Sequence, residues 1–329
     1  MKSFEYAAPE SLEEATSLLA AQWGESEILA GGTDLVTCLK QRLLHPKRLV
    51  SLRHLKDLRG IESSGNSLTI GATTTLKELA AHDGVRQHFP ALIAAIHAIG
   101  SSQMIAVGTV GGDLCQRPRC WYYRNGFGLL GQFNGESLIP DGQNRYHAIF
   151  GNSGPAYFVH PSSLAPALIA LGATCKITGP RDASRSVPAA AFFQTPKAAN
   201  ERETTLKPNE ILTAIQIPLN GAKNATYEIR HRHGLDWPYV TASVAFKLDG
   251  ASASSARVVL GHVAPVPWNA QAAAKVLDGA RINADLAARC GQEAAQGANP
   301  LSQNAYKVQL VKTAVKRAVL QAAGIKTEA

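Results

Sequence analysis

Short apolar runs and amphipathic runs alternate along the chain, which predicts a mixture of strands and helices. The segment EILAGGTDL combines an apolar run, a glycine pair and the predicted start of a helix. The apolar residues after the glycine pair recur at helical spacing. The short apolar run RLVSL comes next. The order strand, loop, helix and strand favours a parallel pair. Ser11 with Glu14, and Thr75 with Glu78, have the spacing of a helix capping box.

The remaining chain continues this mixed pattern. Glycine-rich polar residues fill 124–145, which predicts a long loop with a function or a partner. A turn-rich linker, PLNGAKN, predicts a domain boundary, so we expect one domain over 1–220, with lobes of about 1–57 and 58–220, and a second over 221–329. Further strands are predicted at SLTIG, YHAIF, ATCKIT, NEILTAIQIP, YVTASVAFKL and ARVVLGHVAP, and helices at 90–99, from Pro161, from Trp268, from Ile282 and over 302–323.

Composition narrows the class of protein. The 329 residues carry a net charge of +8, but the basic residues are scattered apart from RPRC and EIRHRH, which disfavours a nucleic-acid binder. A basic surface equally suits an anionic ligand or an acidic partner chain. No apolar run approaches the roughly 20 residues that span a bilayer, and acidic residues stand where a signal peptide would be apolar. The five scattered cysteines do not resemble a disulfide framework.

Two glycine turns are the strongest candidate site. Residues 31–34 (GGTD) follow one apolar run, and 108–113 (GTVGGD) follow another. Glycines allow a ligand to approach the backbone closely, and backbone N–H groups at a helix start favour a phosphate. The first turn would therefore supply amides to a phosphate, and the second turn would form a wall of the same binding site. The alternative is that each glycine pair only turns the chain. Neither segment matches the G-x-G-x-x-G dinucleotide fingerprint, and no nucleophile elbow, His-x-x-His pattern or paired carboxylates support hydrolysis.

Several segments in order resemble one family. They are LAGGTDLV, LTIGATTTLKELA, VGTVGGDL, NEILTAIQIP, VVLGHVAPVPWNAQAAAKVLDG and NAYKVQLVKTAVKRAVL. Over nearly its whole length the chain resembles the FAD-binding medium subunit of the xanthine dehydrogenase, or molybdenum hydroxylase, family, in particular its aldehyde oxidoreductase-like branch. The resemblance implies an α+β protein: a p-cresol methylhydroxylase-type FAD-binding domain in two lobes, followed by a C-terminal α+β domain with an antiparallel sheet and helices.

The resemblance also implies which residues hold the cofactor. The first glycine loop would bind the FAD pyrophosphate and the second would lie along the flavin. The cofactor-binding residues expected on this basis are Leu29, Ala30, Gly31, Gly32, Thr33, Asp34, Leu35, Gly108, Thr109, Gly111, Gly112, Asp113, Ser163, Leu212 and Arg230.

The chain departs from the family pattern at three places. Ser163 replaces a family Asp that bonds FAD, Met104-Ile105-Ala106 replaces Ile-Arg-Asn, and Arg230 or Arg232 would replace a Lys near the flavin. The segment CQRPRCWYYRNGF resembles a branch whose medium subunit carries a four-iron cluster, which needs four thiolates. Only the first ligand position is a cysteine, so no iron–sulfur cluster is expected in this chain. The four positions are Cys120, Leu129, Ser137 and Ala156.

The resemblance implies an electron-transfer subunit without catalytic residues of its own. A large subunit with a molybdenum cofactor would oxidise substrate, and a small subunit with two-iron clusters would pass electrons to FAD and on to an external acceptor. Two alternatives stay open, a stand-alone flavin oxidoreductase and a scaffold subunit that has lost FAD. The expected location is the cytoplasm, or the periplasm by co-export with a partner.

Overall fold

The first lobe is a small parallel sheet with helices beside it. The computed structural model describes residues 1–232, 234–250 and 252–326. The strands run in the order β1-β3-β2, all parallel, which confirms the predicted strand–loop–helix–strand unit. Ser11 caps α1 by accepting from the Glu14 amide at 3.1 Å, but the Glu14 carboxylate accepts from the Glu10 amide, so this capping box is only half formed. The elements are β1 (Glu5–Ala7), α1 (Leu12–Leu18), β2 (Ser26–Leu29), α2 (Leu35–Lys40) and β3 (Arg48–Ser51).

The second lobe is built on an antiparallel sheet of order β4-β5-β10-β8-β9. The capping box of Thr75 and Glu78 is fully formed at the start of α3. The elements are β4 (Ile61–Ser64), β5 (Ser67–Gly71), α3 (Leu76–Ala81), α4 (Asp83–His88), α5 (Pro90–Ala98), α6 (Ser102–Val107), α7 (Val110–Leu114), α8 (Trp121–Arg124), β6 (Gln132–Phe133), β7 (Glu136–Ser137), α9 (Ala165–Ala170), β8 (Thr174–Thr178), β9 (Ser184–Pro188) and β10 (Ile211–Pro218).

The C-terminal part is an antiparallel sheet of order β11-β12-β13-β14, with α12 packed on β11 and β12. This arrangement confirms the expected α+β fold class. The connection between β10 and β11 contains residue 220, which we retain as the proposed domain boundary. The elements are β11 (Lys223–Ile229), β12 (Val240–Asp249), β13 (Ser252–Gly261), β14 (Trp268–Asn269), α10 (Gln271–Leu277), α11 (Ala284–Ala294) and α12 (Tyr306–Ala322).

Several predicted element boundaries were wrong. Residues 146–150 form no strand, because their amides bond irregularly to Tyr157 and Val263 instead of to a neighbouring strand. The helix expected from Pro161 begins at Ala165, since the preceding residues form a turn held by the Asp113 carboxylate. Trp268 lies in a strand rather than a helix, and the last two helices begin a few residues later than predicted.

Candidate cofactor-binding site

The first glycine loop connects β2 to α2 and offers a row of unused donors. Within the described part of the chain, the N–H groups of residues 31–35 donate no hydrogen bond, and these residues are half-buried or exposed. Gly32 has a φ of +74°, a conformation that glycine adopts without strain. Residues 30–35 line a cleft of about 1220 Å³, counting space open to solvent. Consecutive free amides at a helix start suit an anion such as a phosphate.

The two glycine turns pack directly against each other. A Cβ on Gly31 would lie 2.1 Å from the carbonyl oxygen of Val107 and 3.1 Å from the Cα of Gly108, so only glycine fits there. The second loop uses most of its own amides. Gly111 donates to the Ala72 carbonyl at 2.8 Å, and Gly112 donates to Thr109 Oγ1 at 3.1 Å. The second loop therefore forms a wall of the cleft, while the first supplies donors.

Asp34 connects the first loop to the arginine-rich segment that follows α7. Its carboxylate accepts from Arg119 Nη1 at 2.6 Å, from Arg124 Nη2 at 2.9 Å and from the backbone N–H of Arg117 at 2.7 Å. Burial alone would raise the pKa of Asp34, but the two guanidinium groups and the amide outweigh burial and hold the pKa below its ordinary value. The Asp34 side chain thus positions the arginines, and its negative charge is neutralised beside the cleft.

Asp113 holds the turn before α9 beside the cleft. Its buried carboxylate accepts from the hydroxyl of Ser162 and from the amide of Leu164 at 3.1 Å, and burial raises its pKa above the ordinary value. These bonds fix the turn before α9 and place Ser163 in the wall of a second pocket. Asp113 is therefore a positioning residue for this turn.

The second pocket continues the first cleft toward the C-terminal domain. The two share Thr33, Thr109, Gly112 and Gln116, and residues 235–238 form part of the lining of the second. The two pockets form one continuous cleft, and Thr33 from the row of unused amides lines both, so the extent of the cleft and its donors fit a dinucleotide. Other residues of the second pocket are Leu76, Ala98, Ile99, Met104, Gly108, Asp113, Arg119 and Ser163.

The two pockets are lined by all of the expected site residues except Leu29 and Arg230. Leu212 is buried and lines the first cleft, whereas Leu29 lies in β2 and does not line it. Arg230 lies outside both pockets, because the buried carboxylate of Glu228 pairs with it and its Nη1 donates to the Gly234 carbonyl at 3.2 Å. The role of Arg230 as the cation of the site stays a prediction. The arginine that does line the second pocket is Arg119.

Sequence reasoning missed the roles of Arg117, Arg119 and Arg124. The RPRC motif marked a local concentration of charge, but its link to Asp34 spans more than 80 positions. Such a long-range pairing leaves no periodic signal in a single sequence. The signal that could have found it is a carboxylate in a glycine loop together with an isolated basic cluster elsewhere.

The positions expected to correspond to cluster ligands lie in a largely apolar environment. Cys120, Leu129 and Ala156 belong to one buried hydrophobic cluster, and Ser137 lies in β7. Cys120 Sγ lies 3.2 Å from His147 Nε2, and burial raises the pKa of this thiol. Across the described residues, no group of three or more His, Cys, Asp or Glu side chains is placed to hold a metal ion.

None of the helices in the described residues is both long and apolar enough to cross a membrane.

Comparison with known families covers most of the chain. Residues 2–220 match the family described as the FAD binding domain in molybdopterin dehydrogenase, and residues 225–322 match the CO dehydrogenase flavoprotein C-terminal domain. The chain is 30% identical to the aldehyde oxidoreductase FAD-binding subunit PaoB of Escherichia coli, over 98% of this chain and 99% of that one. It is 28% identical to the carbon monoxide dehydrogenase medium chain of Afipia carboxidovorans, over 97% and 96%.

Solved structures show the same fold. The carbon monoxide dehydrogenase of Hydrogenophaga pseudoflava, in a form that lacks the Mo-pyranopterin moiety of its molybdenum cofactor, contains a chain that superposes with a TM-score of 0.76 at 27% identity, covering 98% of both chains. A chain of quinoline 2-oxidoreductase from Pseudomonas putida 86 gives a TM-score of 0.76 at 25% identity, again over 98% of both.

Proposed function

This chain belongs to the family of FAD-binding domains in molybdopterin dehydrogenases, and we propose on that premise that it is the flavoprotein subunit of a heterotrimeric molybdenum hydroxylase. The family resemblance and the fold class expected from the sequence are thereby confirmed. Relatives named as FAD-binding subunits or medium chains align with this chain over nearly its whole length, which supports the role of FAD-binding subunit for it.

In the proposed complex, a large subunit oxidises substrate at a molybdenum cofactor and a small iron–sulfur subunit passes the electrons on. FAD supplies the redox chemistry of this chain by accepting these electrons and releasing them to an external acceptor. The protein itself binds and orients the cofactor, so no catalytic acid or base is assigned to it. We place the complex in the cytoplasm, or in the periplasm by co-export with a partner.

The observation that carries the proposal is the row of unused amides at residues 31–35, at the point where the two glycine loops meet. We propose that these amides bind the FAD pyrophosphate, because backbone donors and the partial positive charge of a helix start both favour phosphate oxygens. The second loop would then support the flavin, with the Ser163 hydroxyl in the same pocket. This row of unused amides also argues against the alternative of a scaffold subunit that has lost FAD.

Affinity purification from native cells, with a tag on this chain, tests the assembly. We expect two further subunits in equal amount, together with FAD, molybdenum and iron in the complex. If the chain instead purifies alone and turns over a substrate by itself, the stand-alone oxidoreductase is the correct function and the subunit assignment is wrong.

A further inference from the structure

An ion pair joins the two walls of the first cleft. The wall from the first lobe includes Trp23 and Glu27, and the wall from the second lobe includes Arg202 and Glu203, which lie in the connection between β9 and β10. The Arg202 guanidinium pairs with the Glu27 carboxylate. We call Glu27 and Arg202 the clasp. Neither residue lines the second pocket, so the clasp lies in the part of the cleft that the two pockets do not share.

The clasp is largely shielded from water. The side chains of Arg202 and Glu27 are only 11% and 15% exposed, so salt screens their attraction less than that of a surface pair. The Arg202 guanidinium also lies 4.7 Å from the ring centre of Trp23, at a distance where a cation is attracted to an indole face. Arg202 is therefore held to the first lobe by two contacts.

The backbone around Arg202 is fixed to the second lobe. The amide of Gln194 donates to the Glu203 carbonyl at 3.0 Å, and the amide of Thr205 donates to the Phe192 carbonyl at 2.8 Å. The carbonyl of Arg202 itself accepts from the Gln194 side chain at 3.1 Å. Opening the clasp therefore requires rotation of the Arg202 side chain or separation of the two lobes, since the loop itself is tied down.

The closed clasp leaves some polar atoms without partners. Burial lowers the pKa of Arg202 and the neighbouring Arg117 lowers it further, while the carboxylates of Glu27 and Glu203 raise it. Within the part of the chain that the structure describes, Arg202 Nε and Glu203 Oε1 are buried and have no hydrogen-bond partner. Such atoms cost free energy that water would restore if the pair opened. The clasp is thus an ion pair whose opening is partly compensated by hydration.

We propose that the clasp is a gate on the path of the cofactor into and out of the first cleft. This inference rests on the proposed function, since it takes FAD as the ligand that lies along the amides of 31–35 in the same cleft. An ion pair that joins both walls obstructs the passage of so long a molecule. The gate stabilises the closed protein with and without its ligand, so it slows entry and release by the same factor and leaves the Kd unchanged.

The test measures FAD exchange in the intact complex. Release is followed as the loss of radiolabelled FAD from the holo-complex into an excess of unlabelled FAD, and entry as the quenching of flavin fluorescence when FAD is mixed with the apo-complex. Glu27→Gln and Arg202→Gln each remove the ion pair. We expect both rate constants to rise by about tenfold in either variant, while the Kd stays within about threefold of the wild-type value.

Three further variants separate the gate from a general loss of structure. Trp23→Leu removes the stacking and keeps both charges, so both rate constants should rise by only about threefold. Arg202→Lys keeps a cation opposite Glu27, and its rates should lie between those of the wild type and Arg202→Gln. Glu5→Gln is the matched control, because it breaks an ion pair with Arg48 inside the first lobe and neither residue lines either pocket. It should exchange FAD at the wild-type rates.

Wild-type rates in both Glu27→Gln and Arg202→Gln, at full FAD content, would overturn the proposal. Faster release without faster entry would also overturn it, because the two residues would then be contacts of the bound cofactor and not a gate. If a charge variant does not assemble, Trp23→Leu decides by the same comparison of the two rates. A wild-type complex without FAD would instead refute the proposed function, so the FAD content separates the two failures.

Discussion

Replacing Gly31 with Ala tests whether contact between the two glycine loops is needed to bind the cofactor. The added methyl group would sit 2.1 Å from the Val107 carbonyl oxygen, whereas real Cβ atoms essentially never approach closer than 3.0 Å. Backbone lies on the other side of this contact, so no side chain can rotate away. The loops must separate by roughly 1 Å, and overpacking of this kind costs about 1–3 kcal/mol of unfolding free energy.

The effect on the cofactor should exceed the effect on stability. A shift of the loop misaligns the amides of 31–35 relative to the second loop. A hydrogen bond to a charged group contributes about 1.5–3 kcal/mol, so each one lost would weaken FAD binding by roughly ten- to a hundredfold. We therefore expect Gly31→Ala to purify with little or no FAD while it remains folded.

The assay is FAD content after purification, together with the Kd from titration of the apoprotein and the midpoint of urea unfolding. Gly65→Ala is the matched control, because Gly65 lies in the turn before β5 with a φ of +57° and open space around its Cβ position. The control should lose about 1–2 kcal/mol through backbone strain and keep its FAD. Full FAD content in Gly31→Ala, or equal loss in both variants, would refute the reasoning.

Three further predictions follow from individual groups. The folded pKa of Asp34 lies below its unfolded value, so the contribution of Asp34 to stability is present above pH about 4 and is lost as pH falls through the folded pKa. Asp34→Asn should therefore reduce the unfolding free energy at pH 7, and this free energy should fall less steeply in acid than that of the wild type. A pH profile of the unfolding free energy that matches the wild type would contradict the role of Arg119 and Arg124. Lys307 is buried and donates to three backbone carbonyls at 2.9 to 3.2 Å, so Lys307→Met should lower the unfolding free energy by about 1–3 kcal/mol in urea titrations, and an unchanged midpoint would refute this. Iron analysis of the chain, separated from its partners, should find less than one iron per chain, whereas four irons would mean that the cluster ligands were misplaced.

Local patterns predicted the parts of the fold that depend on neighbouring residues. The β2–loop–α2–β3 unit and the capping box at Thr75 follow from spacing within a few residues, and both are present. The segment 146–150 has the apolar character of a strand, but it was wrongly assigned because its partners are Tyr157 and Val263 in irregular geometry. Strand formation needs a suitable partner, which one segment alone does not specify.

The residues of the candidate site also fall into those that local sequence patterns predicted and those that depend on distant partners. The glycine loops were recognisable because each combines a turn with a helix start, and the structure brings them into contact. The pairing of Arg230 with Glu228 was not predicted, and Arg119 was missed because its partner Asp34 is distant in the chain. The pairing of Arg119 with Asp34 is set by tertiary structure, and a single sequence contains no periodic signal of it.

The most direct test of the central claim is the amount of FAD bound to this chain within its native complex. The subunits are separated under mild conditions, and the released cofactor is identified and quantified against the mass of this chain. We predict one FAD per chain, released without covalent linkage and absent from the other two subunits. A chain that carries no flavin, or flavin found only on a partner subunit, would contradict the account.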